Sequence, residues 1–294
     1  MRALITGANG QLGRALQRFA PAECRLAAFS HVELDITDAH AVEAALAAGR
    51  YDVLINAAAY TNVQASERDT ERAYRTNALA PGTIARACAV HGVHLVHVST
   101  DFVFDGAKGA PYTPEDAPAP LNVYGASKLE GERNVASALP GRACIVRTSW
   151  VHSADGANFV TKMLERMAAG APLRVVTDEV GAPTSAHSLA RALWRCASAR
   201  LNGLHHWSDA GVVSRFDYAR AIASIAGEIG LLAAQPEIVP ARAADFPSSV
   251  RRPTYSVLDT RATQAALGIA PPSWQDGLRL TLQDILERKL GRNT

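Results

Sequence analysis

Short, mostly apolar runs typical of β-strands alternate with alanine-rich stretches of helical spacing through the first half of this sequence. The runs lie at 2–6, 25–29, 52–56, 94–98 and 143–147. The helical stretches between them lie at 11–20, 38–48, 70–91 and 124–138. This alternation is typical of βαβ units and a parallel sheet, and right-handed crossovers place helices on both faces of such a sheet. We therefore predict an α/β fold with a Rossmann-type doubly wound parallel sheet.

The regular alternation weakens near Arg147. Beyond that point, loops rich in Gly, Pro and Ser are mixed with helical segments at 186–199, 214–229 and 274–289. This change predicts a smaller α/β substrate-binding lobe. We assign residues 1–148 to a dinucleotide-binding domain, to which some later segments return, and residues 149–294 mainly to the substrate lobe.

The charges of the chain are almost balanced, with 30 Lys and Arg against 28 Asp and Glu. Such a balance provides no long-range attraction to nucleic acid or to an anionic membrane, so neither is expected as a partner. No apolar stretch is long enough for a signal peptide or a membrane span, which predicts a cytoplasmic protein. The cysteines form no CxxC pair and the histidines lack ligand spacing, so no metal site is predicted.

A glycine-rich turn follows the first run immediately and opens the first helical stretch. Gly7, Gly10 and Gly13 have the spacing GxxGxxG. Glycines in this position permit a tight turn and let the backbone approach a pyrophosphate, which then lies over the free N–H groups of the helix N-terminus. The third strand runs into small residues that leave room for a dinucleotide at the sheet edge, namely Ala57, Ala58 and Ala59.

The end of the second strand bears on the choice between NADH and NADPH, because a carboxylate there would bind the free ribose 2′-hydroxyl and repel a 2′-phosphate. The sequence at 28–31 contains no acid. We therefore expect NADPH as the cofactor, with NADH possible and Ser30 as a contact, although Arg14 is the one evident nearby cation. Asp35 is placed near the adenine, whereas Asp38 fits a cap on the following helix.

A tyrosine, a lysine and a threonine form the candidate catalytic set. Tyr124 and Lys128 are four residues apart and share one helix face. A lysine cation stabilises a nearby phenolate and lowers the pKa of the phenol from its usual ~10. Thr100 follows the fourth strand, at the sheet edge where doubly wound folds keep their active sites. In this interpretation Tyr124 donates a proton to a ketone oxygen that Thr100 orients, while a hydride arrives from the nicotinamide.

Four motifs occur in order along the chain: GANGQLG at 7–13, NAAAYT at 56–61, STDFVFDG at 99–106 and YGASKLEGE at 124–132. They resemble the signatures of the dTDP-4-dehydrorhamnose reductases, a family of the extended short-chain dehydrogenase/reductase superfamily. Later segments at 147–151, 181–184, 252–253 and 256–259 resemble the same family. The resemblance implies NADPH-dependent reduction of the C4 ketone of dTDP-4-dehydro-L-rhamnose to dTDP-L-rhamnose, for cell-surface polysaccharide synthesis.

The resemblance also implies roles for individual residues. The dinucleotide would contact Gly10, Gln11, Leu12, Ser30, Asp35, Ile36, Ala59, Tyr60 and Thr61, together with Tyr124 and Lys128. The sugar nucleotide would contact Thr100, Asp101 and Trp150. A basic pair that includes Arg252 is a candidate for its diphosphate, although a surface pair is an equal explanation. Trp150 is likewise a candidate for either substrate stacking or the core.

Three departures from the family pattern limit the transfer of substrate contacts. The usual VDKAE stretch is replaced by the sequence at 63–67, and Phe102 stands where tyrosine is usual. Ala15 stands where some members carry an acid that helps to bind magnesium between subunits, so that metal is not expected.

Alternatives to this function remain open at the level of sequence. One is another sugar-nucleotide reductase or an epimerase of the same fold. Another is a non-catalytic NADP-binding regulatory subunit, although a binding scaffold has no need for Thr100, Tyr124 and Lys128 together. The chain is expected to be a monomer or a homodimer.

Overall fold

The computed structural model describes residues 1–170, 172–246 and 250–291. Its elements, in chain order, are β1 (Arg2–Thr6), α1 (Gln11–Arg18), β2 (Arg25–Phe29), α2 (Ala39–Gly49), β3 (Val53–Asn56), α3 (Val63–Ser66), α4 (Thr70–Tyr74), a π-helical turn (Arg75–Leu79), α5 (Ala80–His91), β4 (His94–Thr100), a 3₁₀ turn (Asp101–Val103), α6 (Val123–Ala138), β5 (Ala143–Thr148), β6 (Val151–His152), α7 (Phe159–Ala168), β7 (Leu173–Val176), β8 (Val180–Gly181), β9 (Thr184–Ser185), α8 (Ala186–Ala199), β10 (Gly203–His206), β11 (Val213–Ser214), α9 (Arg215–Glu228), β12 (Ile238–Ala241), a 3₁₀ turn (Ala243–Asp245), α10 (Arg261–Leu267) and α11 (Trp274–Gly291).

Six parallel strands form the main sheet, in the order β2-β1-β3-β4-β5-β10. The order reverses beside β1, which is the topological switch point at which doubly wound folds bind their ligands. The predicted Rossmann-type sheet is therefore confirmed. The sixth strand was not expected from the sequence: Gly203–His206 comes from the second half of the chain and pairs with β5.

Apolar side chains alternate between the two faces of this sheet. Ala3 and Ile5 of β1 pack on one face against α1 and α8, whereas Leu4 packs on the other face against α2 and α5. This is the period of two that a strand buried on both faces requires. The indole N–H of Trp194 in α8 donates to the carbonyl of Leu16 in α1 at 2.9 Å, which fixes the helix that follows the glycine turn.

The helical stretch at 70–91 was expected as one helix, but it contains a π-helical turn between α4 and α5. Pro81 has no N–H, so the carbonyl of Asn77 lacks its usual donor four residues later. Turns of this kind often occur at functional sites. Here the turn places the buried Asn77 side chain against the segment after β3, where it binds both the N–H and the carbonyl of Tyr60, at 2.8 and 3.0 Å.

A third apolar cluster lies outside the main sheet. It joins α7, α9 and α11 around fully buried Tyr218, with Leu173 and Val175 of β7. Three pairs of short strands accompany it: β7 with β12, β8 with β11, and β6 with β9. In the described parts of the chain, no helix combines the length and the hydropathy needed to cross a membrane.

Candidate active site

The glycine turn lies tightly against the segment that follows β3. Gly7 has a φ of +74°, and a Cβ on it would come within 2.8 Å of the Ala58 nitrogen, so only glycine fits there. Gly10 forms the N-cap of α1, and no side chain caps that helix. The first N–H groups of α1 are therefore not used by a capping side chain, which is the arrangement that a pyrophosphate requires.

A cavity of about 650 Å³ opens beside this turn. Eight of the predicted dinucleotide residues line it: Gly7, Gly10, Asp35, Ile36, Ala57, Ala58, Ala59 and Tyr60. The remaining lining residues are Asn9, His31, Leu34, Thr37, Asp69, Glu71, Arg72, Arg75 and Thr76. The glycine turn, the loop after β2 and the segment after β3 thus meet around one space.

Other predicted dinucleotide residues lie outside the lining of this cavity. The side-chain amide oxygen of Gln11 accepts hydrogen bonds from Asn158 and Ser153, at 2.9 and 3.3 Å. Leu12 packs on the core beneath α1, and Gly13 lies against the Gly7 carbonyl. Thr61 is exposed beyond the segment after β3. Their contacts with a dinucleotide remain predictions.

Two arginines of the cavity were not identified from the sequence. Arg72 of α4 lies 4.8 Å from the centre of the Tyr60 ring, and Arg75 of the π-helical turn is close enough to lower the pKa of Asp35. The cation that the sequence did suggest, Arg14, points elsewhere: its Nε donates to the Asn9 carbonyl at 3.1 Å and lies 3.7 Å from Asp155.

The loop after β2 is held by its own acids. Asp35 accepts hydrogen bonds from the N–H and the hydroxyl of Thr37, both at 2.9 Å. Asp38 caps α2, as expected. No acid was expected at the end of β2, but Glu33 reaches it: the N–H and hydroxyl of Ser30 both donate to its carboxylate, at 2.8 and 2.7 Å.

The predicted catalytic residues are brought together at the carboxyl end of β4 and the start of α6. The hydroxyl of Thr100 lies close enough to the phenol of Tyr124 to oppose the rise in the pKa of that phenol. Lys128, 2% exposed, lies one helix turn after Tyr124 and donates to the carbonyl of Val98 at 2.6 Å. Phe102 places its ring edge-on to Tyr124, with the centres 5.7 Å apart.

Burial dominates the acid-base properties of this set. It raises the pKa of Tyr124 to about 12; the nearby Thr100 hydroxyl opposes the rise and the Asp101 carboxylate adds to it. Burial also lowers the pKa of Lys128 to about 8, against the opposing effect of Glu132. The expectation of a lowered pKa for Tyr124 was therefore wrong for this structure, because desolvation of the phenolate is the largest effect and Lys128 is not among the groups that alter this pKa.

Asp101 lies buried beside this set. It accepts a hydrogen bond from Ser256 at 2.5 Å and another from Thr100 at 3.1 Å. Burial raises its pKa to about 6, and the Arg215 guanidinium is near enough to oppose that rise. Asp101 thus connects the candidate catalytic hydroxyl with residues of the second half of the chain.

Side chains from distant segments fix the start of α6. Asn122 caps the helix by accepting from the N–H of Gly125 at 2.8 Å, and its amide donates to the carbonyl of Arg251 at 2.9 Å. Glu67, the last residue of the divergent 63–67 stretch, accepts from the N–H of Val123 at 2.8 Å. The orientation of Tyr124 is therefore set by three parts of the fold.

A buried ion pair lies one helix turn beyond Lys128. The Glu132 carboxylate accepts two hydrogen bonds from Arg147, at 2.9 and 2.7 Å, and one from Ser99, at 2.5 Å. These contacts join α6 to the carboxyl ends of β4 and β5.

A second cavity, of about 930 Å³, is lined by several cations. These are Lys162, Arg166, Arg174, Arg215, Arg251 and Arg252. Their residue types suit a diphosphate, and Arg252 was predicted for it. Arg215, which lines this cavity, is also near enough to Asp101 to affect its pKa, so the cavity reaches the neighbourhood of Asp101.

Trp150 supports this second cavity without lining it. The guanidinium of Arg215 lies 3.4 Å from the centre of its ring, and Arg215 also lies 3.6 Å from the Glu179 carboxylate. Gly181 also limits the position of the Trp150 ring, because a Cβ on Gly181 would come within 2.6 Å of the indole. Stacking of Trp150 on substrate remains a prediction; its observed partner is Arg215.

Comparison with known proteins agrees with this geometry. Residues 1–287 match the family described as RmlD substrate binding domain. A dTDP-4-dehydrorhamnose reductase from Mycobacterium tuberculosis is 42% identical, covering 96% of this chain and 92% of its own. A probable dTDP-4,6-dihydroxy-2-methyloxan-3-one 4-ketoreductase from Streptomyces antibioticus is 40% identical, covering 97% and 96%.

A solved structure of the dTDP-4-dehydrorhamnose reductase of Bacillus anthracis, in complex with NADP, superposes with a TM-score of 0.91 at 34% identity and covers 96% of this chain and 99% of that one. The chain belongs to the RmlD substrate binding domain family, the family of the dTDP-4-dehydrorhamnose reductases.

Proposed function

We propose that this protein reduces the C4 ketone of dTDP-4-dehydro-L-rhamnose with NADPH to give dTDP-L-rhamnose, a precursor of cell-surface polysaccharide. The observation that carries the proposal is the placement of the Thr100 hydroxyl beside the Tyr124 phenol, with buried Lys128 one helix turn after Tyr124. The pair follows β4, whose neighbour β3 leads into the glycine-turn cavity. The names of the M. tuberculosis relative and of the NADP-bound B. anthracis structure support the substrate and the cofactor.

The residues of the glycine-turn cavity fit a dinucleotide. The uncapped N-terminus of α1 would hold the pyrophosphate, and Asp35 with Ile36 would border the adenine. NADPH, when bound, supplies the hydride. Residues 1–148, with β10 and α8, would form the dinucleotide domain, and the cluster around Tyr218 would form the core of the substrate lobe.

Tyr124 is suited to donate a proton. Its raised pKa of about 12 keeps the phenol protonated at neutral pH, which is the form that a reduction consumes. When a ketone binds, the Thr100 hydroxyl would turn from Asp101, to which it donates in this structure, and donate to the ketone oxygen instead. The Lys128 ammonium would stabilise the negative charge that Tyr124 acquires on donating its proton. Because Lys128 has a pKa of about 8, it is predominantly charged at neutral pH.

The cation-lined cavity would bind the sugar nucleotide. Arg252 and its basic neighbours would bind the diphosphate, while Asp101 and the Arg215 held by Trp150 would lie between this cavity and the catalytic set. We further propose that the enzyme acts in the cytoplasm and binds neither nucleic acid nor membrane, since the near-neutral net charge gives it no attraction to either.

A second candidate substrate is the 4-keto sugar nucleotide named for the S. antibioticus relative, which is 40% identical over nearly the whole chain. The chemistry would be the same proton donation from Tyr124. Substrate comparison separates the two candidates, because both reactions consume NADPH stoichiometrically. An epimerase would regenerate its dinucleotide, and a regulatory subunit would consume none.

The test incubates the purified protein with dTDP-4-dehydro-L-rhamnose and follows the absorbance of NADPH and NADH in separate reactions. We expect stoichiometric oxidation of NADPH, and we expect Tyr124→Phe to abolish turnover while it retains NADPH binding. No turnover on this substrate, with turnover on another 4-keto sugar nucleotide, would exclude the rhamnose assignment. Near-normal turnover by the Phe variant would exclude Tyr124 as the proton donor.

A further inference from the structure

The end of β2 carries an anion site that the chain fills with its own carboxylate. The N–H and the hydroxyl of Ser30 both donate to one carboxylate oxygen of Glu33, at 2.8 and 2.7 Å. Ser30 is 7% exposed, whereas Glu33 is exposed to solvent. The donors are thus fixed in the fold, while the acceptor comes from a surface side chain that can leave.

This pair lies where the fold distinguishes the two dinucleotides. The N–H of Ala8 in the glycine turn donates to the carbonyl of Phe29, directly before Ser30, at 2.9 Å. The next residue, His31, lines the glycine-turn cavity. In sheets of this kind, the group at the end of the second strand meets the adenosine ribose, which carries a 2′-hydroxyl in NADH and a 2′-phosphate in NADPH.

A carboxylate that accepts from a backbone N–H and a serine hydroxyl occupies the position of a phosphate oxygen, because both are anions with the same demand for donors. It also places a negative charge next to the 2′ position. Both effects oppose a 2′-phosphate, and neither opposes a 2′-hydroxyl.

We propose that Glu33 is a specificity-determining residue, which competes with the 2′-phosphate of NADPH for the Ser30 donors and thereby narrows the preference for NADPH over NADH. The proposal rests on the dinucleotide site of the proposed function. It predicts that Glu33 must move away from Ser30 when a 2′-phosphate binds and can stay when a 2′-hydroxyl binds.

The turn itself does not depend on the Glu33 side chain. The N–H groups of Glu33 and Leu34 both donate to the Ser30 carbonyl, at 3.2 and 2.9 Å. Glu33→Ala should therefore keep the loop and leave the Ser30 donors available. Glu33→Gln keeps an acceptor for Ser30 but removes the charge. It therefore distinguishes repulsion of the 2′-phosphate from competition for the Ser30 donors.

The experiment measures binding of adenosine 2′,5′-bisphosphate and of 5′-AMP to the full chain by titration calorimetry, without substrate or turnover. Glu33→Ala should tighten binding of the bisphosphate on the order of tenfold, as expected for freeing charge-assisted donors, and should leave 5′-AMP binding within about twofold. Glu33→Gln should give a smaller gain. Glu23→Ala, which removes an exposed acid before the opposite end of β2, is the control for net charge and should change neither affinity.

Ser30→Ala provides the partner variant. In that background Glu33→Ala should give a clearly smaller gain for the bisphosphate, because one of the two contested donors is gone. In turnover assays the ratio of kcat/KM for NADPH to that for NADH should rise in Glu33→Ala by the same factor as the binding ratio.

An unchanged bisphosphate affinity in Glu33→Ala, or an equal gain for 5′-AMP, would overturn the proposal. A selective loss of 5′-AMP binding would also overturn it, since Glu33 would then be a ligand of the 2′-hydroxyl. Failure of the proposed substrate assignment would leave the binding results intact, so the two failures are distinguishable.

Discussion

Replacing Glu132 by Gln is expected to destabilise the fold far more than the size of the change suggests. The glutamine has nearly the same shape, but it removes the charge that balances Arg147. The two side chains are only 6% and 3% exposed, so water cannot replace the lost carboxylate. The glutamine NH₂ would also bring a donor against Arg147 or Ser99, both of which donate to Glu132.

The magnitude follows from the burial of this pair. Removing one partner of a buried ion pair costs about 3 to 5 kcal/mol, because an uncompensated charge remains inside the protein. For a chain of this size, roughly 2 to 4 °C are lost per kcal/mol. We therefore expect Tm to fall on the order of 10 °C and the urea midpoint to fall without a change in slope.

The same helix supplies a matched control. Glu130 forms an ion pair with Arg133 at 3.4 Å, but these side chains are 42% and 64% exposed. Glu130→Gln is the same substitution two positions away, and it should lower the free energy of unfolding by less than about 0.5 kcal/mol. The assay is urea unfolding of both variants, followed by circular dichroism at pH 7.

If Glu132→Gln and Glu130→Gln lose the same stability within about 1 kcal/mol, the reasoning from burial fails. The contacts among Glu132, Arg147 and Ser99 would then be present without stabilising the fold.

Three further outcomes are expected. Burial raises the pKa of Asp209 to about 7, so the unfolded chain releases this proton at lower pH than the folded chain does. The contribution of Asp209 to the free energy of unfolding is therefore full below about pH 4 and falls by about 1.4 kcal/mol per pH unit as the pH rises to about 7. Asp209→Asn should remove that slope from denaturant titrations. A Cβ on Gly13 would come within 2.1 Å of the Gly7 carbonyl, whereas one on Gly10 would come no closer than 3.2 Å. Gly13→Ala should therefore lower the free energy of unfolding by about 1 to 3 kcal/mol, and Gly10→Ala should lower it by clearly less. The kcat of ketone reduction should fall as pH rises through about 8, where Lys128 loses its proton; a profile that is flat from pH 7 to 9, with chemistry rate-limiting, would contradict the role of the ammonium.

The main sheet was predictable because five of its strands are apolar on both faces and separate regular helices. The sixth was not, because Gly203–His206 is four residues long and contains a glycine and two histidines. It becomes a strand through pairing with β5, which is a tertiary contact that local pattern does not encode. The π-helical turn escaped prediction because the residues around Asn77 have ordinary helical spacing, although Pro81 is a local signal that could have indicated it.

The residues of the candidate site likewise fall into those that the sequence could predict and those that it could not. Thr100, Tyr124 and Lys128 were found because their chemistry depends on short spacings within a motif. Arg72 and Arg75 were not, because only the packing of a helix after β3 brings them to the dinucleotide cavity. Glu33 could not be predicted because it lies three residues beyond Ser30, outside the strand, and a turn returns its side chain to Ser30.

The positions of two acids explain which properties of this site can vary independently. Glu132 joins α6 to the ends of β4 and β5, and its charge also raises the pKa of Lys128 against the effect of burial. A change at Glu132 therefore alters stability and chemistry together, because the same carboxylate supports both. Glu33 contacts the end of β2 from an exposed position. Cofactor preference can consequently change there without disturbing the buried contacts that hold Tyr124 and Lys128.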